Sequence, residues 1–153
     1  MVCCGAVLAS AAPVNLLVDG KAALTLEAPA GATITTSNGY VNIRTSSMSL
    51  HVWGVANATK PQDAVPRAGE LIKSEFVKFK PTSTNDVTIA GAPAKHVIGS
   101  GEEADDGDPG NAEVVLFAAG GRVFAGCVHG EFDNASRARA PMLALLQTAH
   151  APH

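Results

Sequence analysis

The sequence has few cysteines, few aromatic residues and little charge of either sign, and these shortages narrow the classes of protein it can belong to. The 14 Asp and Glu residues outnumber the 11 Lys and Arg residues, which excludes a strongly basic nucleic-acid-binding protein. No apolar run reaches the ~20 residues that a membrane-spanning helix needs. The three cysteines do not identify a redox compartment, because removal of Cys3 and Cys4 with an export signal would leave Cys127 without an internal disulfide partner.

The short motifs that mark many enzymes and nucleotide-binding proteins are also missing. The sequence contains no G-x-S-x-G nucleophile elbow, no P-loop, no dinucleotide-binding fingerprint and no H-E-x-x-H metal motif. The stretch Gly99-Ser100-Gly101 does not complete any glycine-rich phosphate loop. The sequence therefore predicts no cofactor and identifies no catalytic residue by motif.

The apolar residues that are present suffice for one compact domain. Leu, Val, Ile and Phe make up 36 of the 153 residues, above the roughly 20% below which disorder is favoured. This length fits one domain better than two, and no linker divides the chain. We predict a single domain over residues 21–153.

Residues 1–20 form a separate segment at the N-terminus. Residues 2–12 are apolar and small, and Ala9-Ser10-Ala11 resembles a signal-peptidase site, but no Lys or Arg precedes Lys21. One hypothesis is that residues 1–12 are the end of a longer export signal, which predicts a periplasmic or secreted protein. The alternative is a flexible N-terminus on a cytoplasmic protein, leading into the first strand.

Alternating apolar residues and glycine turns predict an antiparallel sheet. The dipeptides Asp19-Gly20 and Gly120-Gly121 are typical two-residue hairpin turns. The predicted hairpins pair residues 14–18 with 22–27, 41–45 with 48–53, and 113–119 with 122–129. Two further short strands are predicted at residues 86–89 and 94–99, followed by a loop over residues 99–111.

Two helices are predicted by apolar residues at steps of three and four. The first runs from Val65 to Phe79 and is stopped by Pro81. The second covers residues 142–149, with Pro141 in its first turn. The predicted fold class is α+β: a twisted antiparallel sheet with a central helix and a C-terminal helix packed on it.

Several short stretches in this order resemble the PsbP-like fold over residues 22–152. They are LEAPAG at residues 26–31, the central helix with Ile72, Phe76 and Phe79, IAGAPA at residues 89–94, the hairpin of residues 114–117 and 123–128, and a closing helix that ends near Pro152. That fold is shared by photosystem accessory proteins, a Ran-binding nuclear import factor, the lipoprotein DcrB and secretion-system chaperones. The resemblance implies a non-enzymatic binding or accessory role, and it brings no active-site motif with it.

The loop over residues 99–111 carries five acidic residues that are candidate ligands for Ca²⁺. They are Glu102, Glu103, Asp105, Asp106 and Asp108. Their spacing does not match the EF-hand loop, whose ligands alternate and end in a distant Glu. A solvated acidic loop without a bound ion is the favoured interpretation, and divalent-ion binding stays open as an alternative.

Histidines and one cysteine on the predicted strands are the remaining chemical candidates. His51, His96 and His129 lie on three strands and would form a metal site if they converge, although partly exposed sheet positions are the favoured interpretation. Cys127 and His129 share a strand face, which permits a nucleophile–base pair or two metal ligands. No third orienting group is identifiable, so a buried, inert Cys127 is the favoured reading.

Trp53 is the candidate for partner binding, because tryptophan is enriched at the centres of protein interfaces. Packing under the central helix is the equally supported alternative. Taken together, the sequence predicts a small non-enzymatic accessory protein that holds a protein partner on a sheet face or cleft. The alternatives are a cytosolic chaperone or adaptor for a secreted effector, a Cys127–His129 enzyme, and a divalent-ion-binding protein.

Overall fold

The computed structural model describes residues 12–152, which form a seven-stranded antiparallel sheet, a separate two-stranded sheet and short helices. The strands are β1 (Ala12–Val18), β2 (Lys21–Ala28), β3 (Thr33–Ser37), β4 (Tyr40–Arg44), β5 (Ser49–Val55), β6 (Phe76–Ile89), β7 (Ala92–Glu103), β8 (Pro109–Ala119) and β9 (Arg122–Glu131). The helices are α1 (Pro61–Ala64), α2 (Ala68–Leu71) and α3 (Asn134–Leu146), with a 3₁₀ turn at Val65–Arg67. The proposed export signal lies outside the described residues except for Ala12 and stays a prediction.

The large sheet has the strand order β3-β4-β5-β9-β8-β7-β6, so β5 lies beside a strand that is far from it in sequence. The predicted two-residue turns are confirmed, since Val18 pairs with Lys21 and Ala119 pairs with Arg122. The α+β fold class is confirmed as well. Within residues 12–152, no helix is both long enough and apolar enough to span a bilayer.

Both faces of the large sheet are covered. The β1–β2 hairpin and α3 cover one face, which we call the α3 face. The helices α1 and α2 cover the other face, which we call the short-helix face. Val114 and Val115 point to opposite faces and both have 0% exposed area, as predicted for a strand buried on two sides.

The predicted central helix over residues 65–79 is wrong in its second half. Helical turns end at Leu71, and Phe76 begins β6, which pairs with β7. Phe76 and Phe79 fit a helical spacing, but Val77 and Phe79 also alternate with lysines at period two. The hydrogen bonds available from β7 favour a strand at these residues. Pro66 also weakens the first half of the predicted helix, because proline has no backbone N–H group to donate.

Two further differences concern the last helix and strand β3. The last helix begins at Asn134, so Pro141 lies inside α3 and not in its first turn. The buried side of α3 includes Ala135 and Ala138 before Pro141 and Met142 after it. The packing of these residues stabilises the helix by more than the backbone hydrogen bond that Pro141 removes. Strand β3 was not predicted, because its five residues are all exposed and show no apolar alternation.

The predicted loop over residues 99–111 is shorter than expected. Strand β7 continues to Glu103 and β8 begins at Pro109, so the connection covers only residues 104–108. Gly99 makes the extension possible, because β6 passes close to it: an added Cβ would lie 2.4 Å from the carbonyl oxygen of Lys80.

We therefore expect Gly99→Ala to lower the free energy of unfolding by about 1–3 kcal/mol, the usual cost of overpacking. The added methyl group must push β6 away from β7, because its nearest neighbours include backbone atoms that cannot rotate aside. Gly69→Ala is the matched control, since its Cβ would meet Phe79 at an ordinary 3.5 Å. Urea unfolding measures both variants, and equal stabilities would contradict the steric argument.

Candidate functional site

Two histidines and a glutamate converge where β5 and β9 meet the turn that follows α2. His51 Nε2 lies 3.5 Å from Glu75 Oε1, and His129 Nε2 lies 3.6 Å from the same oxygen. The two imidazole rings stack with their centroids 5.3 Å apart. We call His51, Glu75 and His129 the histidine–glutamate cluster.

Strand pairing brings the two histidines together. His51 on β5 is directly opposite Cys127 on β9, so their side chains leave the sheet on the same side. His129 is two residues further along β9 and therefore shares that side. The histidines are diagonal neighbours on the short-helix face, although 78 residues separate them in the chain.

A tight turn delivers Glu75 to this face. The backbone N–H groups of Glu75 and Phe76 both donate to the carbonyl of Ile72, each at 2.9 Å. Ile72 and Phe76 have 0% exposed area, so buried side chains hold both ends of the turn. The N–H of Ala104 donates to the Glu75 carbonyl at 3.1 Å, which ties the turn to the end of β7.

Each histidine has a polar partner on its other ring nitrogen. His129 Nδ1 lies 2.6 Å from Glu103 Oε2, and because a carboxylate only accepts, Nδ1–H donates. His51 Nδ1 shares a hydrogen bond of 2.7 Å with the Tyr40 hydroxyl. The amide of Asn42 lies farther off at 3.4 Å and donates at 3.0 Å to Ser49 Oγ and to the Leu50 carbonyl.

Burial makes His51 a neutral imidazole. Desolvation, reinforced by the nearby His129 and Arg44, lowers the pKa of His51 from 6.5 to about 4. Burial and the charge of Glu75 raise the pKa of Tyr40, so its hydroxyl keeps its proton. At neutral pH His51 therefore presents one donor and one acceptor nitrogen.

Aromatic rings enclose the cluster on its strand side. Trp53 stacks on His51 with a centroid distance of 5.8 Å and an interplanar angle of 16°, and it lies 5.6 Å from the Tyr40 ring. Phe76 lies 5.9 Å from the ring of His129. Trp53 is half-buried against the core of the short-helix face, and its role in partner binding stays a prediction.

The other side of the cluster is open to solvent through a cavity of about 230 Å³, lined by Ser74, Glu75, Ala104, Asp105 and His129. A larger cavity of about 620 Å³ lies between α3 and the β2–β3 and β4–β5 connections. Among residues 12–152, Glu27 is the one charged residue that lines the larger cavity. Converging polar groups favour the smaller cavity as the functional site.

Cys127 shares a face with His129, as predicted, but its thiol does not bond to that histidine. The sulfur has 0% exposed area and donates to the carbonyl of Val128 at 3.7 Å. Burial, followed by the negative charges of Glu75, Glu103 and Glu113, raises the pKa of the thiol. Cys127 is thus a protonated, buried side chain, which opposes a role as nucleophile.

The five acidic candidates separate into different surroundings. Glu103 bonds to His129, and Glu102 forms an ion pair with Lys78 at 3.3 Å. Asp106 and Asp108 lie in an exposed turn, where Glu131 joins them within 4.8 Å. The pKa of Glu131 is raised, because its protonated form donates a hydrogen bond to Asp108 and because nearby carboxylates repel its charged form. Ion binding by this turn stays a prediction.

His96 does not join the other two histidines. It lies on the α3 face, where its Nε2 is 2.8 Å from Glu113 Oε1, and Arg139 donates two hydrogen bonds of 2.7 Å to the same carboxylate. The expectation of partly exposed positions is wrong for His51 and His96, which are 7% and 5% exposed. Each is buried because it has a polar partner.

Sequence reasoning missed Glu75 and Tyr40. Glu75 falls between the apolar positions of the helix predicted from Val65 to Phe79, so nothing pointed to its meeting with histidines. No local signal identifies it, because its position depends on the turn between α2 and β6. Tyr40 pairs with Trp53 across β4 and β5, one residue beyond the predicted hairpin of residues 41–45 and 48–53, so a longer first strand in that hairpin would have included it.

Comparisons with known proteins concern the fold alone. No protein-family model matches the chain, and no curated protein matches it in sequence. The solution structure of cyanobacterial PsbP from Synechocystis sp. PCC 6803 matches 99% of both chains with a TM-score of 0.57 at 13% identity. PA94 from Pseudomonas aeruginosa matches 89% of this chain and 94% of its own with a TM-score of 0.52 at 15% identity.

A Bacteroides thetaiotaomicron protein matches 85% of this chain with a TM-score of 0.53 at 11% identity, but only 45% of that protein's chain is covered. Identities this low carry no information on activity, because one fold supports many functions. The structural matches do confirm the resemblance to the PsbP-like fold that was seen in the sequence. The chain has the PsbP-like fold.

Proposed function

We propose that this chain is a small accessory or binding protein, without catalytic activity of its own, that holds a protein partner at the surface around the histidine–glutamate cluster. The observation that carries the proposal is the convergence of ionisable and aromatic side chains beside a solvent-open cavity. They come from four separate parts of the fold: β4, β5, β9 and the turn after α2. Polar groups that converge at a pocket are a common feature of binding sites.

The side chains present suit a protein surface as ligand. Tyr40 and Trp53 are both half-buried, so part of each residue is accessible to a partner while its position is held by packing. Such preordered aromatic residues dominate the binding energy of many interfaces, because little side-chain entropy is lost on binding. The carboxylate of Asp105 at the rim of the cavity adds a charged group for orientation.

The Cys127–His129 enzyme has less support than a binding role. A catalytic cysteine needs a thiolate that substrate can reach, and the thiol of Cys127 is buried with a raised pKa. Its hydrogen bond goes to a backbone carbonyl, so His129 is not placed to take its proton.

Site-specific photo-crosslinking in the native host tests the proposal. Ser74 lines the cavity and is exposed, so a photoreactive amino acid placed there should give a discrete adduct with one protein. Ser136, exposed on α3, is the matched control and should give none. In the Ser74 probe background, Trp53→Ala should reduce the adduct yield about tenfold or more, as loss of an interface hot spot does.

Two results would overturn this function. Equal adducts from Ser74 and Ser136 would indicate contacts without a preferred face. Absence of any adduct from Ser74, with the probe protein folded and abundant, would remove the cavity from the interface. Thermal melts of the probe variants establish that each is folded before exposure to light.

A further inference from the structure

The spacing of the histidine–glutamate cluster matches the spacing of ligands around a small metal ion. Tetrahedral Zn²⁺ with bonds of 2.0–2.1 Å keeps its ligand atoms about 3.4 Å apart. The two imidazole-to-carboxylate distances, from His51 and His129 to Glu75, are 3.5 and 3.6 Å. All three ligand atoms lie within 4.8 Å of one another, so a small movement of the side chains completes the geometry.

The partners of the two histidines are those that metal-binding histidines use. Imidazoles that bind a metal through Nε2 usually donate Nδ1–H to a carboxylate, carbonyl or similar acceptor, which fixes tautomer and ring orientation. His129 donates Nδ1–H to Glu103 at 2.6 Å. His51 has the Tyr40 hydroxyl at 2.7 Å, and a hydroxyl oxygen accepts equally well.

The arrangement leaves acceptors facing one another. With Nδ1–H of His129 donated to Glu103, Nε2 is the ring nitrogen left to face the carboxylate of Glu75. A lone pair on Nε2 and the carboxylate oxygen, 3.6 Å apart, are both satisfied when a metal cation lies between them, and a bridging water donor is the other way to satisfy them.

We propose that His51 Nε2, His129 Nε2 and Glu75 Oε1 form a binding site for a divalent transition-metal ion, with Zn²⁺ the best match. Two imidazoles and one carboxylate are the donor set that zinc accepts with three protein ligands and a fourth, open position. The adjoining cavity supplies room for that fourth ligand. Cys127 takes no part, because its thiol is buried and bonded to the Val128 carbonyl. The proposal stands independently of the protein partner.

Isothermal titration of the full chain with zinc chloride tests the site. The background is C3S/C4S, so that thiols outside the described residues do not bind the added zinc. We expect one zinc ion per chain in the histidine–glutamate cluster. Trp53 is the single tryptophan of the sequence and lies 5.8 Å from the His51 ring, so its fluorescence should change with the same midpoint.

Glu75→Gln should weaken zinc binding at least tenfold, and Glu103→Gln should weaken it by about 10–100-fold through the orientation of His129. Glu70→Gln is the matched control, because Glu70 precedes the turn and its side chain is 74% exposed. It should leave the affinity unchanged. Circular dichroism establishes that each variant is folded, and Glu103→Gln serves if Glu75→Gln does not fold.

Three results would overturn the metal site. The first is absence of zinc binding at millimolar zinc. The second is an equal affinity in Glu75→Gln, Glu103→Gln and Glu70→Gln. The third is zinc binding without a change in Trp53 fluorescence, which would place the ion elsewhere, such as at the exposed turn with Asp106 and Asp108.

Discussion

Replacement of Glu113 by alanine is expected to lower the free energy of unfolding by about 3 kcal/mol at neutral pH. Glu113 is 1% exposed, and its two oxygens accept from Arg139 and contact His96. Breaking a buried ion pair by removing one partner costs about 3–5 kcal/mol. The lower end applies here, because the Arg139 side chain is 42% exposed and water can solvate it in the variant.

The cost should depend on pH. Burial alone would raise the pKa of Glu113, but the hydrogen bonds and charges of His96 and Arg139 outweigh burial and hold it below the usual 4.5. A lowered folded-state pKa means that the stabilisation is complete above the unfolded value and is lost as the pH falls through the folded one. Wild type and Glu113→Ala should therefore approach each other in stability below about pH 4.

Urea unfolding at neutral and acidic pH measures this difference. Asp86→Ala is the matched control, since Asp86 pairs with Lys95 but its side chain is 84% exposed. Exposed ion pairs contribute about 0–1 kcal/mol, so the control should change little at either pH. A gap between wild type and Glu113→Ala that does not narrow in acid would contradict the assignment of Glu113 as an ionised, buried partner.

The network of Glu113, His96 and Arg139 also shows why the sequence alone did not identify which histidines converge. His96 and His129 both lie on predicted strands, and the residues beside them in sequence do not show which face each one occupies. Which face each one occupies follows from register. Register in turn follows from turns and long-range pairing, so only the three-dimensional structure assigns His96 to the α3 face and His129 to the cluster.

Local patterns were sufficient where the controlling interactions are local. The turns at Asp19-Gly20 and Gly120-Gly121 specify two-residue hairpins by backbone conformation alone, and both hairpins are confirmed. The fold class and the PsbP-like resemblance are confirmed for the same reason: they rest on the order of such elements. The cluster depends on β5 lying beside β9, a contact across more than 70 residues that no local pattern encodes.

The strand that begins at Phe76 shows how a local pattern can be overridden. Its apolar residues satisfy a helical and an alternating period at once, and tertiary hydrogen bonds to β7 decide between them. The formation of a strand here also creates the site, because the chain must turn at Glu75 to enter β6. A helix continued to Phe79 would have placed that carboxylate in solvent.

Phe76→Ala is accordingly expected to cost about 3–5 kcal/mol, a large part of the 5–15 kcal/mol that stabilises a typical domain. The ring has 0% exposed area and contacts Phe79 edge-on at 6.4 Å and His129 at 5.9 Å. It occupies the space beside Gly101, where an added Cβ would lie 2.6 Å from its Cε2 atom. Its loss therefore opens a cavity under the turn that carries Glu75.

Phe132→Ala makes the same chemical change on a side chain that is 80% exposed, so it should alter the free energy of unfolding by less than about 0.5 kcal/mol. Phe76→Leu should fall between the two, because it keeps most of the buried volume. Denaturant midpoints and slopes measured together separate a loss of stability from a change in the unfolded state. Equal costs for Phe76→Ala and Phe132→Ala would mean that the turn that carries Glu75 is not held by this ring.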